Sequence, residues 1–142
     1  MAEAELTFVH GVTFQERFKK GDAERKVLLT ELESVTNSGI KNDGFYNFAN
    51  LLYSEQQDLQ AVLEFVQLHL PQDRQNQFRT TIALNLLEKN KLKEAREVMS
   101  GVVDDRNGYG KVYEREMKKR MQKAQIEHMI IQYEKEFGKY QR

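Results

Sequence analysis

The chain contains no cysteine, which excludes disulfides and thiolate-bound zinc and leaves the redox compartment open. Proline occurs once, at Pro71, while charged residues make up 31% of the sequence. That balance favours long solvated helices over a β-sandwich with its many turns. Charge of one sign is also missing: Lys plus Arg and Asp plus Glu stand at 22 each, so no global field draws the molecule to nucleic acid or lipid. No apolar run approaches the roughly 20 residues that span a bilayer. The opening Met-Ala-Glu-Ala-Glu-Leu has neither the basic stretch nor the apolar core of a secretory leader. A soluble, intracellular, cytoplasmic protein is the expectation, and 142 residues suit one compact domain or a short solenoid.

What is present is helical periodicity. Residues 1–11 carry no strong pattern. Thr13 to Lys20 reads as a short helix with Phe14 and Phe18 on one side. Asp22 then caps a second helix through about Val35, with Leu28, Leu32 and Val35 as its apolar stripe. Thr36 to Gly44 reads as a loop, and Pro71 ends a helix because proline disfavours helix at the residue before it. Further turns are expected near Gln56-Gln57-Asp58, near Asn90 and across Asp104–Gly110. From Lys111 to about Phe137 the chain reads as one helix of roughly 40 Å, at about 1.5 Å per residue. No segment alternates as a strand does, so the fold class is all-α.

Two stretches repeat each other. Phe48, Ala49, Leu52, Ala61, Phe65 and Leu68 are answered 34 positions later by Ile82, Ala83, Leu86, Ala95, Met99 and Val102. Small residues at this period are the signature of the tetratricopeptide repeat, and residues 44–70 and 73–103 resemble two such units. The first fills the family's signature positions with Phe45, Phe48, Ala49, Leu52, Ala61, Phe65 and Leu68. The second departs at Arg79, and the usual closing proline is missing, Pro71 falling two positions early. The resemblance covers somewhat under half the chain. It implies a helical-hairpin solenoid in which Ala49 meets Ala61 and Ala83 meets Ala95, with larger residues packing between hairpins. One hairpin cannot bury its apolar face alone. The N-terminal helical pair (1–43) and a C-terminal capping helix (105–142) would therefore close the two ends of the hairpins (44–104), Met117 and Met121 packing as part of the cap.

The resemblance also implies a function: a groove, lined by the first helix of each hairpin, that grips a peptide or helix of another protein. Carried over residue by residue, the lining is Tyr46, Asn47, Asn50 and Tyr53 in the first repeat and Thr80, Thr81, Leu84 and Leu87 in the second. Asp43 and Ser54 complete the lining in the first repeat, and Gln77 and Glu88 in the second. Asn47 and Asn50 are the favoured anchors, since an amide side chain can bond both donor and acceptor of an extended backbone. The basic clamp by which some members hold a chaperone's C-terminal carboxylate is not reproduced, because Tyr46 and Thr81 stand where lysine and asparagine would be needed. The long C-terminal helix supplies a second candidate surface at Arg115, Lys118 and Lys119, within a segment (111–123) of net charge +4.

Chemistry finds little support. Asp105–Glu116 loosely resembles a calcium loop, but Tyr109 occupies a ligand position where an Asp or Asn oxygen is expected. The segment is read as a turn. His10, His69 and His128 show no ligand spacing, and Glu114 and Glu116 point to different sides of a helix. No phosphate-cradling loop, nucleophile elbow or cofactor motif is present, so no catalytic residue, metal or cofactor is assigned. The expected function is an adaptor, chaperone or regulator that binds a protein. The alternatives are a nucleic-acid-binding helical repeat using the basic helix, which the nearly neutral groove disfavours, and an intracellular peptide sensor. Homodimerisation through the long helix is a further option, and no membrane partner is expected.

Overall fold

The computed structural model describes residues 2–55 and 58–140, with side chains from residue 4 to residue 136. Among the described residues there are eight helices and no strand: the fold is all-α. The chain divides into two compact units, Met1–Arg79 and Thr80–Arg142, with the division inside the sixth helix.

In the first unit, residues 2–10 are not patternless but form α1 (Ala2–His10), which buries Val9. Helix α2 (Val12–Phe18) buries Phe14 and Phe18. Helix α3 (Asp22–Glu33) is capped not by Asp22 but by Gly21, whose φ of 120° a residue with a side chain rarely adopts. Leu28 and Leu32 are fully buried on it. Arg17 of α2 ties the pair together, its guanidinium donating to Glu24 at 2.6 Å and to Glu31 at 2.5 Å.

The largest departure from expectation is α4 (Ser38–Glu55), which begins inside the stretch read as a loop. Two local features start it. The Asn37 side chain accepts the Ile40 N–H at 3.0 Å, as an N-cap does. The Glu5 carboxylate of α1 accepts the Thr36 N–H at 2.8 Å and the Thr36 hydroxyl at 2.5 Å. The Thr36 hydroxyl, and then its amide, hold the Glu5 carboxyl below its ordinary pKa. Gly44, which suggested a turn, lies buried in the helix where α4 passes α1 and α3. A Cβ there would collide with Leu32 Cδ2 and come within 2.8 Å of Val9 Cγ1.

Helix α5 (Leu59–His69) is capped by Asp58, which accepts the Ala61 N–H at 3.2 Å, and packs on α4. Gln56 and Gln57, the rest of the expected turn, lie outside the described residues. The face of α5 that is buried differs from the repeat's prescription. Val62, Leu63, Val66 and Leu70 are inside, Ala61 is exposed, and Leu68 is 79% exposed. Ala61, expected to pack against Ala49, therefore lies off the buried face of α5. The reason is area: the branched side chains remove more apolar surface from water than Ala61 and Leu68 would, and a shift of one residue turns a helix by about 100°. An aromatic chain joins the elements of this unit. Phe18 meets Phe48 edge-on at 4.9 Å, Phe48 stacks on Phe65 at 5.1 Å, and His69 lies flat against Phe45 at 4.7 Å. Arg25 caps the chain with its guanidinium 3.8 Å from the Phe18 ring centre. Leu70 is extended, as a residue before Pro71 should be, and α6 (Gln72–Glu88) follows.

In the second unit, the turn after α6 passes through Asn90, whose φ of 61° lets the Lys91 N–H return to the Leu86 carbonyl at 2.9 Å. Helix α7 (Leu92–Met99) buries Ala95 and Val98. Helix α8 (Tyr109–Tyr140) starts two residues before its expected first turn, because both Asp105 carboxylate oxygens accept its free N–H groups, Tyr109 and Gly110, each at 2.8 Å. Tyr113 is buried and Met117 half-buried, but every residue from Met121 to Glu136 is exposed. The expected cap is thus confined to the first turns of α8. Met121, expected in the cap, stands 58% exposed.

Three outcomes follow from this packing. Gly44→Ala should cost about 1 to 3 kcal/mol in urea unfolding, because the methyl has no space. Val66→Ala should cost about 2 kcal/mol while Leu68→Ala stays within about 0.5 kcal/mol; the repeat's own register would reverse that order. Burial lowers the His69 pKa more than nearby Glu33 raises it, so folding favours the neutral ring. Stability should hold above the unfolded value of about 6.5 and fall as pH drops through the lower folded value. A His69→Gln variant followed by urea titration from pH 8 to pH 5 should show a flatter profile.

Candidate functional site

The residues picked for a groove fall on two helices, and each helix presents its accessible side separately. On α4, the buried positions Gly44, Phe45, Phe48 and Ala49 face inward. Opposite them runs an accessible line, Asp43, Asn47, Asn50 and Ser54, at the i, i+4, i+7, i+11 spacing of one helix face. Asp43 and Asn47 are already engaged. The Arg74 guanidinium donates to Asp43 at 2.7 Å, with His10 Nε2 3.5 Å from its other oxygen. Asn47 Nδ2 donates to the Val9 carbonyl at 2.9 Å and lies 3.3 Å from His10 Nδ1. Together they fasten α1 and the start of α6 to α4. The expected anchor Asn47 is thus a structural clamp in this state. Tyr46 is half-buried and set edge-on against Phe78 at 5.4 Å. Tyr53 is half-buried, while Asn50 and Ser54 are open to solvent, Ser54 donating back to the Leu51 carbonyl at 3.0 Å.

On α6 two expected contacts are corrected. Thr80 is 4% exposed and Leu87 1% exposed, so neither can touch a ligand without the helix moving. Asn76, Phe78, Thr80, Ile82, Ala83, Leu86 and Leu87 are all buried, an arc of about 200° at 100° per residue. A helix covered this widely leaves a narrow strip, and here the strip is Gln77, Thr81, Leu84 and Glu88. Each of these four stands 34 positions beyond Asp43, Asn47, Asn50 and Ser54. This strip therefore repeats with the period that the apolar residues show, and it is the part of the expected lining that lies away from the packed faces.

Arg115, Lys118 and Lys119 are exposed, the Lys119 ammonium lying 3.4 Å from Glu116. With Lys111 and Lys123, also exposed, they occupy one side of α8, within an arc of about 140°. Farther along that same side come Ile126, Met129, Ile130 and Tyr133, between 51% and 68% exposed. With Glu134 they border a surface depression of about 370 Å³. Met117 and Met121, read as part of the cap, lie on the opposite side of the helix. The three- and four-residue steps from Ile126 to Tyr133 were the signal for this apolar line.

Among the described residues no three His, Cys, Asp or Glu side chains converge as metal ligands. No helix among them is long and apolar enough to cross a membrane. The Asp105 turn spends its first would-be calcium ligand on capping α8. Comparison with protein-family models, with curated proteins and with solved structures gave no match.

The two asparagines of α4 should separate on substitution. Asn47→Ala removes a partly buried clamp and should cost about 1 to 3 kcal/mol, with faster amide hydrogen exchange in α1. Asn50→Ala should change stability by less than about 0.5 kcal/mol and leave that exchange unaltered.

Proposed function

We propose that this chain is a protein-interaction module of the tetratricopeptide type, binding an extended peptide or a helix of a partner protein as an adaptor, chaperone or regulator. One observation carries the reading: α4 and α6 turn the same strip of side chains away from their packed faces, Asp43-Asn47-Asn50-Ser54 and Gln77-Thr81-Leu84-Glu88, 34 positions apart, with Asn50, Ser54, Thr81 and Glu88 exposed. Buried Phe48 and Ala49 behind the first strip correspond to buried Ile82 and Ala83 behind the second. Each strip sets polar side chains beside apolar area, which suits recognition of an extended chain or a helix.

Asn50 and Thr81 are the exposed polar members nearest the centre of each strip and the preferred contacts. Tyr53 and Leu84, half-buried beside them, offer apolar area for a partner side chain while losing little freedom on binding. The net charge of the strips is small, which fits a peptide better than a phosphate backbone.

The test is capture from a native lysate on the immobilised full chain, beside an Asn50→Ala/Thr81→Ala variant of unchanged helical circular dichroism. A protein bound by the wild type and held at least about tenfold more weakly by the variant, or about 1.4 kcal/mol, is the expected result. Equal retention by both proteins, or retention of nucleic acid alone, would overturn the reading.

A further inference from the structure

We propose that the C-terminal half of α8 pairs with the same segment of a second copy of this chain, antiparallel, independently of the peptide-binding strips. Ile126, Met129, Ile130 and Tyr133 form an exposed apolar line on a helix whose residues from Met121 to Glu136 touch no other element closely enough to be covered. Four large apolar side chains in one line are more than the scattered exposure that single surface residues explain.

Charge identifies the occupant. Residues 111–123 carry a net +4 and residues 124–136 a net −2, so the helix is basic before the apolar line and acidic around it. A parallel copy would leave Lys123 of one chain and Glu134 of the other about 16.5 Å apart along the axis, too far to pair. An antiparallel copy centred on Ile130 does the opposite. Lys123 lies about 10.5 Å to one side of that centre and Glu134 about 6 Å to the other. Reversal therefore brings the second copy's Glu134 within about 5 Å of Lys123 along the axis. Both stand about 70–90° to the same side of the apolar line, and a two-fold axis perpendicular to the paired helices preserves that side. The contact is self-complementary, as an isologous interface must be, and it forms twice per dimer. The patch is small beside the roughly 1,200–2,000 Å² of stable interfaces, which places the association in the weak range.

Sedimentation velocity on the full chain, from about 10 µM to about 1 mM, tests this at the concentrations where interfaces below about 1,200 Å² associate. The expected result is a concentration-dependent dimer that Ile130→Glu reduces to monomer with its circular dichroism unchanged. Lys123→Glu alone and Glu134→Lys alone should each weaken the dimer about fivefold, from two exposed pairs lost at once, and the double variant should restore it. A monomer throughout the range would overturn the proposal, as would a dimer indifferent to Ile130→Glu. Failure of the double reversal to restore the dimer would overturn the antiparallel register. A monomer that cosediments with phosphatidylglycerol vesicles through Ile130 would assign the face to lipid instead.

Discussion

The close passage of α4 over α1 and α3 at Gly44 is the constraint on which the first unit rests. Only a residue without a side chain lets Leu32 and Val9 reach the α4 backbone, and that approach sets the depth at which Phe45, Phe48 and Ala49 are buried. Polar groups then fix the direction of the crossing. Asn47 holds the end of α1 through the Val9 carbonyl, Glu5 holds the start of α4 through Thr36, and Asp43 holds α6 through Arg74. Each of these bonds is worth little net in water. Their value lies in leaving α4 one way to sit, so that the same face is always turned outward.

That arrangement explains how legible the chain was. The α-only class, the stop at Pro71, the turn at Asn90 and the long last helix follow from periodicity and local turn chemistry, which are properties of adjacent residues. The start of α4 was not legible, because Asn37-Ser38-Gly39 and Asp43-Gly44 look like loop residues to any local rule. Gly44 is tolerated inside the helix only because distant Val9 and Leu32 need the space. The buried face of α5 was misjudged for a similar reason. Ala61 and Leu68 fit a repeat template, yet Val62, Leu63, Val66 and Leu70 offer a better-filled stripe, and the larger apolar area decides.

The same logic divides the eight groove residues. Asn47 was chosen for its amide, and the amide is what the fold uses, to tie down α1. Thr80 and Leu87 were placed by a template that assumes one covered stripe per helix, whereas α6 is covered over about 200°. Asn50, Tyr53, Thr81 and Leu84 keep accessible atoms because they lie on or beside the side opposite the packed arc. A position's role in a helical repeat is set by how many neighbours its helix has, and sequence spacing does not count neighbours.

Helix α8 shows the complementary case, in which a pattern has no user within its own chain. Its first turns bury Tyr113 and half-bury Met117, and that side accounts for one apolar stripe. A second stripe, Ile126 to Tyr133, begins about half a turn away just where the first stops being covered. Folding of this chain does not explain it, since those side chains remain open. Keeping four large apolar groups in water is unfavourable, and the cost is removed only when something covers them. The reversal of charge from residues 111–123 to residues 124–136 gives the helix a direction, and an object with a direction matches its own reverse better than its copy. Antiparallel self-pairing satisfies the apolar line and the charge gradient together.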